Sequence, residues 1–312
     1  MMRLLTGRSQ DDPHALGEAF TARARACVRP LCVLAHHDDE IPVAGLLQRL
    51  GPGLRIVWVT NSDGLYFESD LPPPEYGELR TAEGMRSAAA LGLDASSVRN
   101  LAFSEVEIYR CLSRLHSGAG DLDSERALFE RMREAVRDAV FEIEPDLVVS
   151  LAWQGGQPEH DLTHFFTRLA LRELARERSL RPGFFHFPAY EYTYALAMRF
   201  HPLYRGQRMR LRLTRGELER KLELLQAYPS QVRLFERFRW AFRLLFYPLG
   251  LLSGGPRSAE GFLAIEEFGP VPEIDYSAPP HRLDFCTYMF DDFEGVPVTF
   301  ARSVRPLVRS FL

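Results

Sequence analysis

Lysine is almost missing from this chain. Of its 38 basic residues only Lys221 is a lysine. A Walker A phosphate loop needs G-x-x-x-x-G-K-[ST], and Lys221 lies in an Arg-Lys-Leu-Glu run, so that loop is excluded. Schiff-base or pyridoxal chemistry would rest on the same residue, inside an amphipathic helical pattern, which removes lysine-based catalysis. Cysteine is scarce as well. Cys27, Cys32, Cys111 and Cys286 show no C-x-x-C spacing and read as reduced, mostly buried thiols of an intracellular protein. Long apolar runs are absent: the longest uncharged stretch, 244–256, is interrupted by proline and glycine, and a spanning helix needs about 20 apolar residues. The first twenty residues hold no signal-peptide core, so the expected location is cytoplasmic. Neither sign of charge dominates. With 42 acidic groups the net charge is −4, and no global field argues for nucleic acid.

What is present is ample material for a core: 312 residues, 46% hydrophobic. Short apolar runs alternate with amphipathic ones through the first two thirds. Strands are predicted at 31–35, 54–60, 98–103, 147–151 and 183–187, with helices at 41–50, 79–91, 124–143 and about 162–175 between them. Strands alternating with helices of this length make parallel βαβ units and an open α/β sheet. Such a sheet places its site beyond the carboxyl ends of its strands. From about residue 200 the texture changes. Thr214 and Glu217 form a capping box opening a helix, and the last 50 residues are rich in proline and aromatics. No repeat or linker separates two domains, so 1–200 is read as the α/β core and 201–312 as a C-terminal helical and irregular elaboration of it.

Two polar clusters lie just past predicted strands. His36-His37-Asp38-Asp39-Glu40 places five ionisable residues in a row after a buried strand, which is costly unless they are solvated, paired or ligating. The bland reading is a solvated turn leading into the next helix. The functional one puts His36 and Asp39 on one metal ion with Asp38 beside a bound water, the set a zinc hydrolase needs. The second cluster runs from Trp153 through Gly155 and Gly156 to Gln157, Glu159, His160, Asp161 and His164. Either His160 completes a His/Asp/His site, or His160 and His164 ligate together at i and i+4 as in H-E-x-x-H proteases. In a third reading His164 only packs near the site.

These residues resemble the PIG-L/LmbE-like zinc-dependent N-deacetylases. Residues 35–40 look like the family's A-H-P-D-D-E, with His37 in the proline position. Residues 145–149 followed by 157–161 look like its P-D-x-V-x…H-P-D-H-D. Ordered company comes from Thr60 to Gly64, from Arg80-Thr81-Ala82-Glu83 with Leu91-Gly92, from 227–231 (A-Y-P-S-Q) and from 259–262 (A-E-G-F), so the resemblance spans about 28–265. It implies a Rossmann-like, mostly parallel sheet with helices on both faces and one Zn2+ per chain. The implied activity removes the N-acetyl group of an N-acetylglucosamine-type amino-sugar conjugate. Carried over by position, His36, Asp39 and His160 would be ligands and Asp38 the general base acting on zinc-bound water. His37, Glu40, Glu159 and Asp161 would stand behind them, a role in which carboxylates fix ligand histidines. Two departures stand out: Gln157 occupies the place of a histidine expected at the oxyanion, and Glu159 replaces an aspartate. Either Gln157 does part of the oxyanion's job, or His37 or His164 compensates, or the enzyme is slow. The alternatives are a zinc amidase for another acyl-amine and a catalytically lapsed carbohydrate-binding homologue.

Sugar sites use flat aromatic faces and fixed polar groups. Tyr66, Trp153, Tyr190 and Tyr192 lie near predicted strand ends, and Asp63 and Arg80 are candidates for hydroxyls or a phosphate. Residues 233–252 interleave arginine with aromatics. This suits either a helix packed on the core or a peripheral contact with a membrane surface.

Overall fold

The computed structural model describes residues 12–191, 196–201, 204–241, 258–280, 288 and 292–312. Helix α1 (Pro13–Ala24) starts at an Asp12 cap. Five parallel strands follow: β1 (Pro30–Leu34), β2 (Arg55–Thr60), β3 (Val98–Phe103), β4 (Leu147–Leu151) and β5 (Gly183–Phe187). Between them come α2 (Ala44–Leu50), α3 (Pro73–Ala90), α4 (Glu105–Ser117), α5 (Leu122–Ile143) and α6 (Pro158–Glu177). β1 is buried along its whole length, which is why it is a continuous apolar run rather than an alternating one. Its side chains divide between the two faces. Leu31 and Val33 pack with Phe129, Met132 and Val136 of α5, while Cys32 and Leu34 pack with Leu46 and Leu47 of α2 and Ala88 of α3.

The parallel strands lie in the order β3-β2-β1-β4-β5. The order reverses between β1 and β4, whose registers run Leu31↔Val148 and Cys32↔Val149. At such a switch point the loops leaving two adjacent strands part to opposite faces and open a crevice beyond the carboxyl ends. The loops that part here are those carrying His36 and Gln157.

The C-terminal third is not only helical and irregular, as expected, but completes the sheet. β6 (Met209–Arg212) pairs antiparallel with β7 (Ile265–Pro270), and β7 pairs antiparallel with β5, giving seven strands. Charged residues had hidden β7. Glu266 is fully buried, its carboxylate accepting from the Gly45 N–H, the Leu46 N–H and Lys221 Nζ at 2.8 Å each. The chain's one lysine therefore sits in α7 (Arg215–Gln226) as a buried counter-ion, joining β7 to the first turn of α2. The capping box of α7 is formed as predicted, and α8 (Val232–Ala241) follows it. Among the described residues no helix is long and apolar enough to cross a membrane. Of the arginine–aromatic stretch, 242–252 lies outside the described residues. In α8 Trp240 is exposed and Arg237 pairs with Glu68 at 2.7 Å.

Candidate active site

The site assembles from three strand ends. β1 delivers 35–40, the loop after β4 delivers Gln157 and the first turn of α6, and β3 delivers Glu105 at the start of α4. Helix α6 begins at Pro158, four residues before its expected start, because proline at a first helical position gives up no hydrogen bond there. His160 is thereby fixed in a helical turn rather than a loop. Asp161 holds the loop behind it, accepting from the N–H groups of Gln154 and Gly155 at 3.0 Å each and from the Tyr288 hydroxyl at 3.1 Å. Gly155 sits at φ +73°, where a side chain would be strained.

His36, Asp39 and His160 converge. His36 Nδ1 and His160 Nε2 are 2.9 Å apart, His160 Nε2 is 3.2 Å from Asp39 Oδ1, and His36 Nδ1 is 3.5 Å from Asp39 Oδ2. Ligand atoms held at about 2.0–2.1 Å in a tetrahedron lie about 3.3 Å apart, so the triangle has the size of a zinc site. Two imidazole nitrogens and one carboxylate, all buried and with His36 on a cleft, make the donor set of a catalytic rather than a closed site. Burial opposes ionisation of Asp39, but His160 and His36 overturn that and hold its carboxyl far below the usual range. On its other edge, His36 Nε2 lies 3.3 Å from Glu159 and 3.4 Å from Glu105. Glu159 thus stands beside the free edge of the His36 ring, while Asp161 fastens the loop.

Asp38 adopts φ +120°, a conformation that costs of order 1–3 kcal/mol for a non-glycine residue and survives only where its surroundings enforce it. They do so here. Its N–H donates to Glu40 Oε2 at 3.1 Å, and its carboxylate faces the Arg80 guanidinium at 3.0 Å. Burial raises the Asp38 carboxyl against the pull of Arg80, and the result is about 7. Glu40, buried and raised by desolvation, accepts from the Ser87 hydroxyl and from Tyr228 Oη at 2.5 Å. Arg80 also donates to the His37 carbonyl and to Glu83 at 2.8 Å, and Glu83 accepts from Ser230 N and Oγ at 2.8 and 2.6 Å. Gln231 reaches Tyr76 Oη at 2.8 Å. The Arg80/Glu83 and Tyr228/Ser230/Gln231 segments, separate in sequence, form one scaffold behind Asp38.

His37 turns away from the metal ligands. Its Nδ1 is 2.7 Å from Ser62 Oγ and its ring lies on Trp58. Gly84 makes this possible, since a Cβ there would come within 2.5 Å of the ring. Burial and the nearby Arg80 push His37 down to about 3, so it is a neutral packing group. His164 does not join the ligands. Nδ1 donates to the Leu151 carbonyl at 2.7 Å and Nε2 accepts from Tyr276 Oη at 3.0 Å, which occupies both ring nitrogens and contradicts the H-E-x-x-H arrangement. Neither histidine reaches an oxyanion position. Gln157 does line the cleft, and its Oε1 is buried without a partner.

Of the expected substrate contacts, Tyr66 lines the cleft and Arg80 reaches it, though already engaged. Asp63 is consumed by Ser104 Oγ at 2.7 Å and Val106 N at 3.2 Å. Trp153 packs among Phe165, Tyr276 and Phe300. Tyr190 lies in a two-residue strand paired with Ala197, and Tyr192 falls outside the described residues. Glu105 was missed. It lines the cleft, and burial, with Glu159 and Asp63 adding to it against His36, raises its carboxyl to about 8. The signal was available, because Glu105 follows a strand end as His36 and Gln157 do.

The doubly wound α/β sheet places at its switch point a buried His/Asp/His donor set that could hold a metal ion, with the Asp38 carboxylate beside it. Residues 31–171, which hold every one of those groups, match the sequence profile of the family described as PIG-L: GlcNAc-PI de-N-acetylase. Through that segment the chain is similar to the PIG-L family of N-deacetylases. Sequence comparison with curated proteins gives no significant match. Among solved structures, a deacetylase of teicoplanin biosynthesis superposes with a TM-score of 0.57 at 18% identity, covering 79% of this chain and 99% of that one. The A40926 pseudoaglycone deacetylase Dbv21 gives 0.53 at 20%, covering 78% and 96%. The N,N'-diacetylchitobiose deacetylase from Pyrococcus horikoshii gives 0.50 at 18%, covering 88% and 98%. At these identities the likeness is one of fold.

Proposed function

We propose that this protein is a zinc-dependent hydrolase that removes the N-acetyl group from an N-acetylglucosamine-type conjugate. The observation that carries the proposal is the meeting of His36, Asp39 and His160 in a triangle of tetrahedral size, with Asp38 held beside it on the same cleft. Zinc bound by those three residues would supply Lewis-acid polarisation of the amide carbonyl and lower the pKa of water at the site. Asp38, fixed by Arg80 and by the Glu40 contact to its own N–H, accepts the proton of the attacking water. Gln157 presents its amide to the developing oxyanion, a neutral donor where the family expects a histidine. The departing amine takes up the proton that Asp38 has gathered, and acetate leaves. The family's description and the names of the three solved structures given above, each a deacetylase, support the acetyl group as the target.

The test is a screen of N-acetylglucosamine conjugates for acetate release, with elemental analysis of chelator-free protein. About one zinc per chain and stoichiometric acetate are expected. Protein that refuses added zinc would sink the proposal. Tight sugar binding without acetate release would favour the lapsed carbohydrate-binding homologue.

A further inference from the structure

The cleft is lined by residues of two kinds: polar His36, Asp38, Ser62, Glu105 and Gln157, and apolar or aromatic Leu65, Tyr66, Phe67 and Phe293, of which Phe67 is the most exposed. Phe67 is 61% exposed, in a fold that buries Phe129, Phe165, Phe166 and Phe187 almost completely. An aromatic side chain left in water at the mouth of a site, among other apolar lining residues, is a surface for a ligand.

The charges at the same mouth are of one sign. Asp292 and Glu294 stand exposed at the rim beside Phe293. Among the described lining residues the one cation is Arg80, and it is already shared between Asp38 and Glu83. Two arginines nearby are also engaged: Arg237 pairs with Glu68, and Arg110 lies over the Phe293 ring at 5.8 Å. Among the described residues, an anion seated next to the sugar would meet two rim carboxylates, with Arg80 paired to acids and Arg110 turned onto the Phe293 ring, so its desolvation would be poorly matched.

We propose that the group joined to the amino sugar is uncharged and presents an apolar face to Phe67 and Phe293, and that a conjugate with a phosphodiester beside the sugar is rejected. This rests on the deacetylase reading above and narrows it. The family's description names a GlcNAc-PI substrate; the described residues at this cleft's mouth present carboxylates rather than the free cations a phosphodiester requires.

The experiment compares two matched conjugates on the zinc-loaded protein: octyl N-acetylglucosaminide, and N-acetylglucosamine 1-phosphate esterified to the same octyl chain. We expect kcat/KM for the neutral conjugate to exceed that of the diester by about tenfold or more at low salt, with the gap narrowing as salt screens the rim. The Asp292→Lys/Glu294→Lys double variant shifts the ratio toward the diester. Phe67→Ser raises KM for the octyl glycoside by more than it raises KM for the methyl glycoside. A diester turned over as well as the neutral conjugate, or a ratio that the double variant does not move, overturns the inference. If neither conjugate releases acetate, the deacetylase reading falls, and calorimetric affinities for the same two compounds still rank them and decide the inference.

Discussion

Asp38→Asn separates chemistry from architecture. The side chain keeps its shape, and asparagine, isosteric with aspartate, inherits the backbone strain Asp38 already bears at φ +120° without adding to it. What disappears is the negative charge and the ability to take a proton. Loss of a positioned general base typically lowers kcat by about 10²–10⁴, or roughly 2.7–5.5 kcal/mol of barrier. The fold should scarcely notice. Arg80 loses one partner at 3.0 Å but keeps Glu83 at 2.8 Å and the His37 carbonyl, while a desolvated carboxylate is removed. The expected change in unfolding free energy is within about 1 kcal/mol. Arg80→Met makes the contrast, because it strands Asp38 and Glu83 as buried anions and should cost about 3–5 kcal/mol. The assays are steady-state acetate release, zinc content and urea unfolding on both variants. If Asp38→Asn retains turnover within tenfold of the parent, Asp38 is not the base. If it instead unfolds the protein as severely as Arg80→Met, the carboxylate is a structural counter-ion.

Three further outcomes follow from the geometry. Gln157→Ala should lower kcat by about 10²–10³ through loss of the oxyanion donor, and Gln157→His should raise it above the parent; equal rates in all three proteins would remove Gln157 from the chemistry. Glu266→Gln should destabilise more than Lys221→Met, since Glu266 without the lysine still accepts two helix N–H groups, whereas Lys221 without the glutamate keeps only the Pro42 carbonyl; the reverse order in urea unfolding would refute this account of the pair. His164 is held neutral by burial and falls to about 4 from 6.5. Between those values the unfolded chain binds the extra proton and the folded one does not, so stability is full above pH 6.5 and falls by about 3 kcal/mol as pH drops to 4. His164→Gln should flatten that acid limb, and an unchanged slope would show that another group sets it.

The α/β sheet was legible because β1 to β5 are short, apolar and separated by helices with local signals. Residues 36–40 and 157–160 could be found for the same reason, since each follows a strand end. The scaffold behind Asp38 was only partly legible. Arg80, Glu83, Tyr228 and Ser230 could be seen as ordered fragments, but nothing in the chain says that a carboxylate at 83 receives a backbone N–H from 230. β7 was invisible for a related reason. A strand with adjacent glutamates reads as exposed until its partners, 45 and 221 residues away, are brought to Glu266 by the fold. Local pattern reveals elements; long-range neutralisation of charge does not leave a local pattern.

The buried lysine gives the molecule an unusual chemical signature. Lys221 is the only side-chain amine in the chain, and it is 1% exposed. Reagents that couple to ε-amines therefore find no handle on the folded surface. An activated ester can reach that nitrogen only when β7 and α7 part from α2, so its rate of acylation reports how often the C-terminal strands open. Labelling of a native residue thus becomes a clock for a part of the sheet held by buried charge as well as by apolar packing.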